Sequence, residues 1–347
     1  MAVYTQIDNP EEYHNTVLFT GDGSDDRAIT VGFQPNLTWM KQRTDASGGW
    51  VVDSVRGNNA ALQTSNGNGE GTFADMTFTS TGITVSGNEN LNNEASHNYV
   101  SWHWKAGTTS GISGSPSITP ASYSFNAISG FSIIKWTGTG SAATLPHGLG
   151  VAPKMIIVKS LDTTQDWPVY HSILGNAKKF ILNGTDAESA SGNWNSTSPT
   201  STLFSIGTAG QVNTSGDDYI AYCFTDVQGH SRFSSFTGNG SGTGQFTYLG
   251  FKPSFVMVKK TSGTAAAMIA DNERTYPFNP IHARLMPPET TAATTGQHWI
   301  DFYSNGFTTR TDAGEDSAWN ASGSTYVYAA FSEAPFCNSS GVPCNAR

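Results

Sequence analysis

Short runs rich in β-branched and aromatic residues recur along the chain, and glycine-rich polar segments separate them. Runs that alternate between apolar and polar positions with a period near two are typical of half-buried strands. Other runs are mainly apolar and end in lysine, and their composition also predicts strands. The alternating runs are Tyr99–Trp104, Tyr219–Phe224 and Tyr326–Phe331, and the lysine-ending runs are Leu37–Lys41, Met155–Lys159 and Phe255–Lys259. This pattern predicts an all-β protein.

The same order of features occurs three times. Each copy opens with an aromatic-x-Gly-x-Gly segment, and a Gly-hydrophobe-x-Pro step follows it. The aromatic residues are Phe19, Trp136 and Phe236, and the prolines are Pro35, Pro153 and Pro253. The aromatic residues are 117 and 100 positions apart and the prolines 118 and 100, so the two spacings agree and indicate a true internal repeat. We therefore predict three tandem, homologous, antiparallel β-sandwich domains, although the pattern does not separate a sandwich from a small barrel.

The repeats divide the chain into six segments. They are an N-terminal arm at 1–12, repeat 1 at 13–106, a linker rich in Gly, Ser, Thr and Pro at 107–130, repeat 2 at 131–228, repeat 3 at 232–336 and a C-terminal tail at 337–347. The arm is either an attachment segment or a mobile terminus, and Asn9–Glu12 predicts a short helical turn in it. Because the linker is long, we expect repeat 1 on a tether and repeats 2 and 3 in close contact. The proline-rich stretch 276–295 predicts a surface loop.

Composition and charge argue against several classes of function. The formal net charge is −9 and no basic run occurs, which argues against nucleic acid as a partner. The chain has no apolar stretch long enough to span a membrane. Its first residues lack the basic and apolar regions of a secretory signal, so we expect synthesis in a cytosol and release by cell lysis. Cys223 is predicted as a small buried hydrophobe, and Cys337 and Cys344 as free thiols, with a small disulfide loop as the alternative.

Catalytic and metal motifs are weak. The eight histidines do not stand at metal-ligand spacings, the chain has no Gly-x-Ser-x-Gly elbow, and the acidic segment Asp22–Asp26 lacks the distal Glu of a calcium loop. The Gly-x-Gly segments lack the lysine of a phosphate loop and are predicted as tight turns. Candidate carboxylates for glycoside hydrolysis are Asp217, Asp218, Asp226, Glu315 and Asp316. We predict no catalytic, cofactor-binding or metal-binding residue and no cofactor.

Two further residue sets have structural interpretations. Asp53 and Arg56 recur as Asp271 and Arg274 in repeat 3 but are absent from repeat 2, so they are predicted as local salt bridges or turn devices. The nine tryptophans are predicted mainly as core residues. Four of them, outside the strongest strands, are also candidates for sugar-stacking platforms: Trp167, Trp194, Trp299 and Trp319.

Four segments carry a resemblance to a known group of proteins. VYTQIDNPEEYHNTVLFTGDG, VGFQPNLTWMKQR with DSVRG, YVSWHWKAGTTSGI and FSEAPFCNSSGVPCNAR resemble uncharacterised repeat proteins of marine tailed phages, including phages of cyanobacteria. The resemblance implies a virion structural protein, a tail fibre or appendage that takes part in host adhesion, and a homotrimer. A head-surface decoration protein is the alternative, and a glycan-binding or glycan-cleaving module is a third. Implied partners are other virion proteins through the arm and a host-surface glycan or protein, and the implied location is the virion surface.

Overall fold

A computed structural model describes residues 5–72, 75–87, 90–274, 279, 281, 287, 298–310 and 318–344. These residues form antiparallel strands, one 3-10 helix at Pro10–Glu12 and one α-helical turn, α1, at Gly210–Asn213. The all-β prediction is confirmed. The predicted helical turn in the arm also forms, with Pro10 at its first position.

The described residues of repeat 1 form nine strands in two sheets. They are β1 (His14–Thr20), β2 (Arg27–Thr30), β3 (Leu37–Gln42), β4 (Trp50–Asp53), β5 (Ala60–Gln63), β6 (Gly71–Thr72), β7 (Met76–Thr79), β8 (Gly82–Val85) and β9 (Asn98–Trp104). The large sheet has the order β1-β9-β3-β4-β5-β6, and the small sheet the order β2-β8-β7.

Repeat 2 and the linker before it also form two sheets. Their strands are β10 (Ser122–Asn126), β11 (Phe131–Thr137), β12 (Ala143–Pro146), β13 (Met155–Ser160), β14 (Pro168–His171), β15 (Lys178–Ile181), β16 (Ser189–Ala190), β17 (Leu203–Ile206) and β18 (Asp218–Phe224). The large sheet has the order β10-β11-β18-β13-β14-β15-β16, and β12 pairs with β17. The linker therefore contributes the edge strand β10 to the large sheet.

Repeat 3 repeats this plan with fewer described strands. They are β19 (Ser231–Thr237), β20 (Phe246–Tyr248), β21 (Phe251–Lys260), β22 (Met268–Asp271), β23 (Ile300–Tyr303), β24 (Gly306–Thr309) and β25 (Thr325–Pro335). The large sheet has the order β19-β25-β21-β22 and the small sheet β20-β24-β23. In all three large sheets the last strand of the repeat lies between its first strand and its lysine-ending strand. The proline-rich stretch predicted as a loop lies almost entirely outside the described residues.

Each large sheet is buried on both faces. In β13, Met155 and Ile157 point into a central cluster, whereas Ile156 and Val158 point into a second cluster that repeat 2 shares with its own small sheet. Strands β3 and β21 divide their residues in the same way. A strand that is buried on both faces needs apolar residues at successive positions, which explains the continuous apolar runs.

The central cluster is built by all three repeats. Trp104 of repeat 1, Phe224 of repeat 2 and Phe331 of repeat 3 hold matching positions in β9, β18 and β25. The ring centroids of Trp104 and Phe224 lie 6.2 Å apart, those of Trp104 and Phe331 5.5 Å, and those of Phe224 and Phe331 5.9 Å. These three aromatic side chains join the three sheets at one point. The prediction that repeat 1 hangs on a tether is therefore wrong, because its main sheet is one wall of the shared core.

The lysines that end the three strands are also buried. Lys41, Lys159 and Lys259 continue the central face of β3, β13 and β21, and their relative exposures are 2%, 0% and 1%. Their ammonium groups donate to main-chain carbonyls, at 2.8 Å from Ser47 for Lys41 and 2.7 Å from Ser160 for Lys159. Burial lowers the pKa values of Lys159 and Lys259 to about 8. The final lysine of each run thus caps the apolar core with main-chain hydrogen bonds.

The Gly-x-Gly segments form tight turns, as predicted. In repeat 2, the Thr139 and Gly140 amides donate to the side chain and main-chain oxygens of Asn213, at 2.8 and 3.0 Å. Asn93 and Asn320 make the same side-chain contact in the other repeats. A tyrosine six residues after each asparagine accepts a nearby amide, and in repeat 2 this is Tyr219. The sequence already showed the recurring Tyr at the start of each alternating run, whereas the Asn six residues before it is a repeat signal that we did not predict.

Polar contacts join the repeats in cyclic order. The Trp102 indole of repeat 1 donates to Asp271 of repeat 3 at 3.0 Å, and the Tyr222 hydroxyl of repeat 2 donates to Asp53 of repeat 1 at 2.8 Å. Trp102 and Tyr222 hold matching positions, and so do the two aspartates. The matching contact between repeats 3 and 2 is absent. Ala329 of repeat 3 replaces the aromatic donor, and His171 of repeat 2 replaces the aspartate. Alanine offers no side-chain donor, so a buried carboxylate opposite it would lose that partner.

The two aspartates also form the predicted salt bridges. Asp53 pairs with Arg56 and Asp271 with Arg274, and all four side chains are at most 1% exposed. Each aspartate also accepts the main-chain amide of its arginine. These pairs are turn devices that fix the end of β4 and of β22 against a neighbouring repeat.

We expect Asp53→Ala to lower the free energy of unfolding by about 3–5 kcal/mol, because it leaves the buried Arg56 guanidinium with only the partly exposed Glu70 as a counter-charge. The measurement is equilibrium unfolding in urea. The control is Glu188→Ala, which breaks the more exposed pair with Lys178 and should cost at most about 1 kcal/mol. Equal losses for the two variants would contradict a stabilising role for the buried pair.

Candidate functional site

The tryptophans considered as stacking platforms are all core residues. Trp167, Trp194, Trp299 and Trp319 are at most 2% exposed, so their ring faces are not available to a ligand. The core interpretation of the tryptophans outside the main strands is confirmed. A surface that binds through aromatic rings must use other residues.

Three other aromatic residues lie on the outer face of the small sheet of repeat 3. Phe246, Tyr248 and Tyr303 are 46%, 55% and 37% exposed. Phe246 and Tyr248 alternate with the buried Thr247 along the edge strand β20. The ring centroids of Phe246 and Tyr303 lie 5.9 Å apart in an edge-on arrangement. We call these three residues the aromatic face.

Strand register brings the two tyrosines to either side of a glycine. Tyr248 pairs with Gly306 from one side, and Tyr303 pairs with Gly306 from the other. A Cβ atom at Gly306 would lie 2.1 Å from the Thr247 carbonyl oxygen and 2.9 Å from the Phe246 ring. Glycine is therefore required here, because it leaves room for the Thr247 carbonyl and for the Phe246 ring.

Polar groups hold the position of Tyr303. Its hydroxyl donates to Asp301 Oδ2 at 3.1 Å, and the Arg310 guanidinium donates to the same oxygen. Desolvation and the Asp301 carboxylate raise the pKa of Tyr303, so its hydroxyl keeps its proton and its donor role at neutral pH. Hydrogen bonding to Asp301 raises the pKa of Arg310. The aromatic face thus includes an ordered polar cluster at one end.

A cleft of about 490 Å³ opens at the other end, beside Tyr248. We call it the junction cleft, because the turn between repeats 2 and 3 forms one of its walls. Its lining is Asp226, Val227, Gln228, Gly229, Ser231, Arg232, Tyr248, Leu249, Gly250, Phe336 and Cys337. Tyr248 and the 37% exposed Phe336 provide aromatic rings at the cleft. This volume lies within the range of small-ligand sites.

The junction turn is held in place from two sides. The Asp226 carboxylate accepts the Phe233 amide at 2.7 Å, and Val227 and Ser231 form an isolated bridge. Behind the turn, the Thr5 hydroxyl of the N-terminal arm contacts the Gln228 carbonyl at 3.0 Å. Thr5 and Ile7 are at most 3% exposed, so this part of the arm packs against the chain. The wall of the cleft is therefore supported by an element distant in sequence.

The small sheets of the other repeats differ at the matching positions. In repeat 1, Gly82 lies between Thr30 and Thr79 as Gly306 lies between Tyr248 and Tyr303, and Ala28 matches Phe246. In repeat 2, the linker lies along β12, where the Ile118 amide donates to the Thr144 carbonyl at 3.2 Å. Among the described residues, only repeat 3 carries aromatic side chains at these positions. Comparing the repeats position by position in the sequence would have shown that aromatic residues in repeat 3 replace the small residues of repeat 1.

The candidate carboxylates that the structure describes do not form a catalytic pair. Asp218 pairs with Lys135 at 3.1 Å and Asp217 accepts from Thr163 at 3.1 Å, both at the start of β18. Asp226 lies beyond the other end of this strand, roughly 20 Å away, whereas glycosidase carboxylates stand about 5–9.5 Å apart. Glu315 and Asp316 lie outside the described residues.

Metal binding also lacks a site in the described part of the chain. No group of three or more His, Cys, Asp and Glu side chains there could hold a metal ion. Asp22 accepts from the Ser24 amide and hydroxyl, so the acidic segment forms a turn. Cys223 is buried, and Cys337 and Cys344 are free thiols, as predicted. Among the described helices, none has the length and apolarity that a membrane crossing requires.

Residues 9–335 match the model of the family described as Domain of unknown function (DUF7483). This match covers almost the whole chain. No curated protein and no solved structure matches the sequence.

Proposed function

This chain belongs to the DUF7483 family, and we propose that it is an adhesion protein of a virion exterior, a phage tail fibre or appendage, that contacts the host through the junction cleft and the aromatic face. The observation that carries the proposal is the exposure of three aromatic side chains on one small sheet, beside an open cleft. Exposed aromatic residues that are grouped together are typical of interaction surfaces. The phage assignment rests on the resemblance of the four sequence segments.

We further propose that the three repeats are homologous β-sandwich domains arranged around an approximate threefold axis. The matching strand orders, the matching Asn and Tyr contacts and the three-way central cluster support this arrangement. In that arrangement one chain supplies the three units that a homotrimeric fibre would take from three chains. Light scattering of the purified protein tests this point, since the arrangement leads us to expect a single chain of 36.9 kDa in place of the homotrimer that the resemblance implies.

The main test of the adhesion proposal is binding of the purified, fluorescently labelled chain to a panel of marine bacteria that includes cyanobacteria. We expect the chain to bind its host strain and Tyr248→Ala to lose most of this binding, because the exposed ring is removed. Thr30→Ala is the matched control at the equivalent position of repeat 1, and it should bind as the unmodified chain does. Absence of binding to every strain that the parent particle infects would refute the proposal.

Immunogold labelling of intact particles with an antibody against repeat 3 addresses the location. Label at the tail supports the adhesin, whereas label spread over the head supports the alternative of a capsid decoration protein. A glycan-cleaving activity is not favoured, because the described carboxylates are not brought into one groove. Release of reducing ends from host polysaccharide would nevertheless establish it.

A further inference from the structure

We propose that the junction cleft, together with the aromatic face, binds a neutral oligosaccharide. The inference rests on the proposed adhesion function and names the chemical class of its ligand. It is built from three properties of the site: the exposed rings, the polar groups between them and the balance of charge.

The rings provide flat apolar surfaces that are open to solvent. Tyr248 lies against Gly250, where a Cβ atom would be 3.5 Å from the tyrosine hydroxyl, so the ring covers a stretch of bare main chain. Tyr303 and Phe246 extend the apolar surface along the sheet, and Phe336 adds a ring at the cleft. The C–H face of a pyranose ring is also flat and apolar, so it can cover an aromatic ring of this kind.

The cleft also provides the polar groups that sugar hydroxyls require. Asp226, Gln228 and Arg232 line it together with the ring of Tyr248. A carboxylate accepts hydrogen bonds, a guanidinium donates them and an amide does both, so the set can match hydroxyls that act as donors and acceptors. The main chain of the turn that carries these side chains is held by the Thr5 hydroxyl, and the Asp226 carboxylate is held by the Phe233 amide.

Charge favours a neutral ligand. The lining contains one aspartate and one arginine, whose formal charges cancel. The whole chain carries a net charge of −9, so the surrounding field repels anions. A sulfated or uronic-acid polysaccharide would need a basic lining, and the cleft does not have one.

Saturation-transfer NMR and titration calorimetry with defined probes test the inference. The neutral probes are maltotriose, cellotriose, laminaritriose and chitotriose, and the anionic probe is a heparin hexasaccharide. We expect at least one neutral trisaccharide to bind, with saturation transferred to its ring protons. Tyr248→Ala should weaken this binding about tenfold or more, whereas Tyr248→Phe should stay within about threefold because it keeps the ring. Thr30→Ala is again the matched control and should leave the affinity unchanged.

The result that overturns the inference is an absence of neutral-sugar binding, binding of the anionic probe alone, or sugar binding that Tyr248→Ala leaves intact. Binding of the chain to whole host cells distinguishes failure of the oligosaccharide inference from failure of the adhesion proposal. If the chain still binds host cells after periodate oxidation of their polysaccharides but not after protease treatment, adhesion stands and its ligand is a protein. If the chain binds no host cell, the adhesion proposal itself fails.

Discussion

Acidification from pH 7 to pH 5 should unfold this protein. Among the histidines that the structure describes, five are at most 1% exposed: His14, His103, His147, His171 and His230. Burial lowers the pKa values of His103 and His230 to about 3 and those of His147 and His171 to about 4, and it lowers the pKa of His14 well below the ordinary value. The rings of His103, His147, His171 and His230 are therefore neutral in the folded chain at pH 5, and the pKa of His14 is lowered in the same direction.

The unfolded chain takes up protons that the folded chain excludes. An unfolded histidine titrates near pH 6.5, so between about pH 6.5 and pH 4 the unfolded state binds more protons than the folded state. Stability is therefore complete above this window and falls as the pH decreases through it. Each histidine contributes up to about 1.4 kcal/mol per pH unit, and five together contribute up to about 7 kcal/mol per unit. This slope is comparable to the whole stability of a typical domain.

The measurement is urea unfolding, followed by tryptophan fluorescence, at several pH values between 7.5 and 5. His103→Gln should remove about one proton from the pH dependence, even if it also lowers stability. His97→Gln is the matched control, because His97 is partly exposed and bonds to Asp45, which raises its pKa instead of lowering it. An unfolding free energy that stays constant from pH 7 to pH 5 would contradict the neutral burial of these histidines.

Ile157→Asp should be the most damaging single substitution of those considered. Ile157 is 6% exposed, belongs to the central cluster and pairs with Val169 and Tyr222 on its two neighbouring strands. A carboxyl group at this position would have to enter an apolar core, either charged or after taking up a proton. We expect a loss of more than about 4 kcal/mol and no folded protein at 37 °C.

Two matched variants separate the causes of that loss. Ile157→Val removes one methylene group without adding a polar atom and should cost about 0.5–1.5 kcal/mol. Ile173→Asp introduces the same carboxylate at an isoleucine that is 51% exposed in the same repeat, and its effect should stay within about 0.5 kcal/mol. Thermal unfolding of the three variants beside the unmodified chain gives the comparison. If Ile157→Asp melted like Ile173→Asp, the strand face would be assigned incorrectly.

The sequence predicted the strands well but not the surfaces against which they pack. The run Met155–Lys159 has the composition of a strand, and the structure confirms it as β13. We expected burial from the alternate residues of this strand, whereas both of its faces are buried, and the second face is covered by residues of the other two repeats. That contact depends on how three repeats are placed around one another, and no local pattern within one repeat contains this information. The composition of the linker predicted a tether, because it too contains no information about how the repeats pack against one another.

The candidate site was missed because its sequence pattern also fits a buried strand. Phe246-Thr247-Tyr248 alternates as a half-buried strand does, and alternation alone does not say which of the two faces is exposed. Here the threonine points inward and both aromatic residues point outward. Exposure follows from the register of β20 against β24, which the sequence does not specify. Tryptophans were the predicted stacking platforms instead, although tryptophan side chains are highly buried on average.

A protein that builds three similar units from one polypeptide can change each unit separately. In a homotrimer, any substitution appears three times, so an aromatic surface on one unit would appear on all three. Here Tyr248 of repeat 3 corresponds to Thr30 of repeat 1, and in repeat 2 the linker lies along the matching strand β12. In the part of the chain that the structure describes, one such surface is therefore present. If one contact is weak, firm attachment requires many chains on one particle, and the strength of attachment depends on their number and spacing.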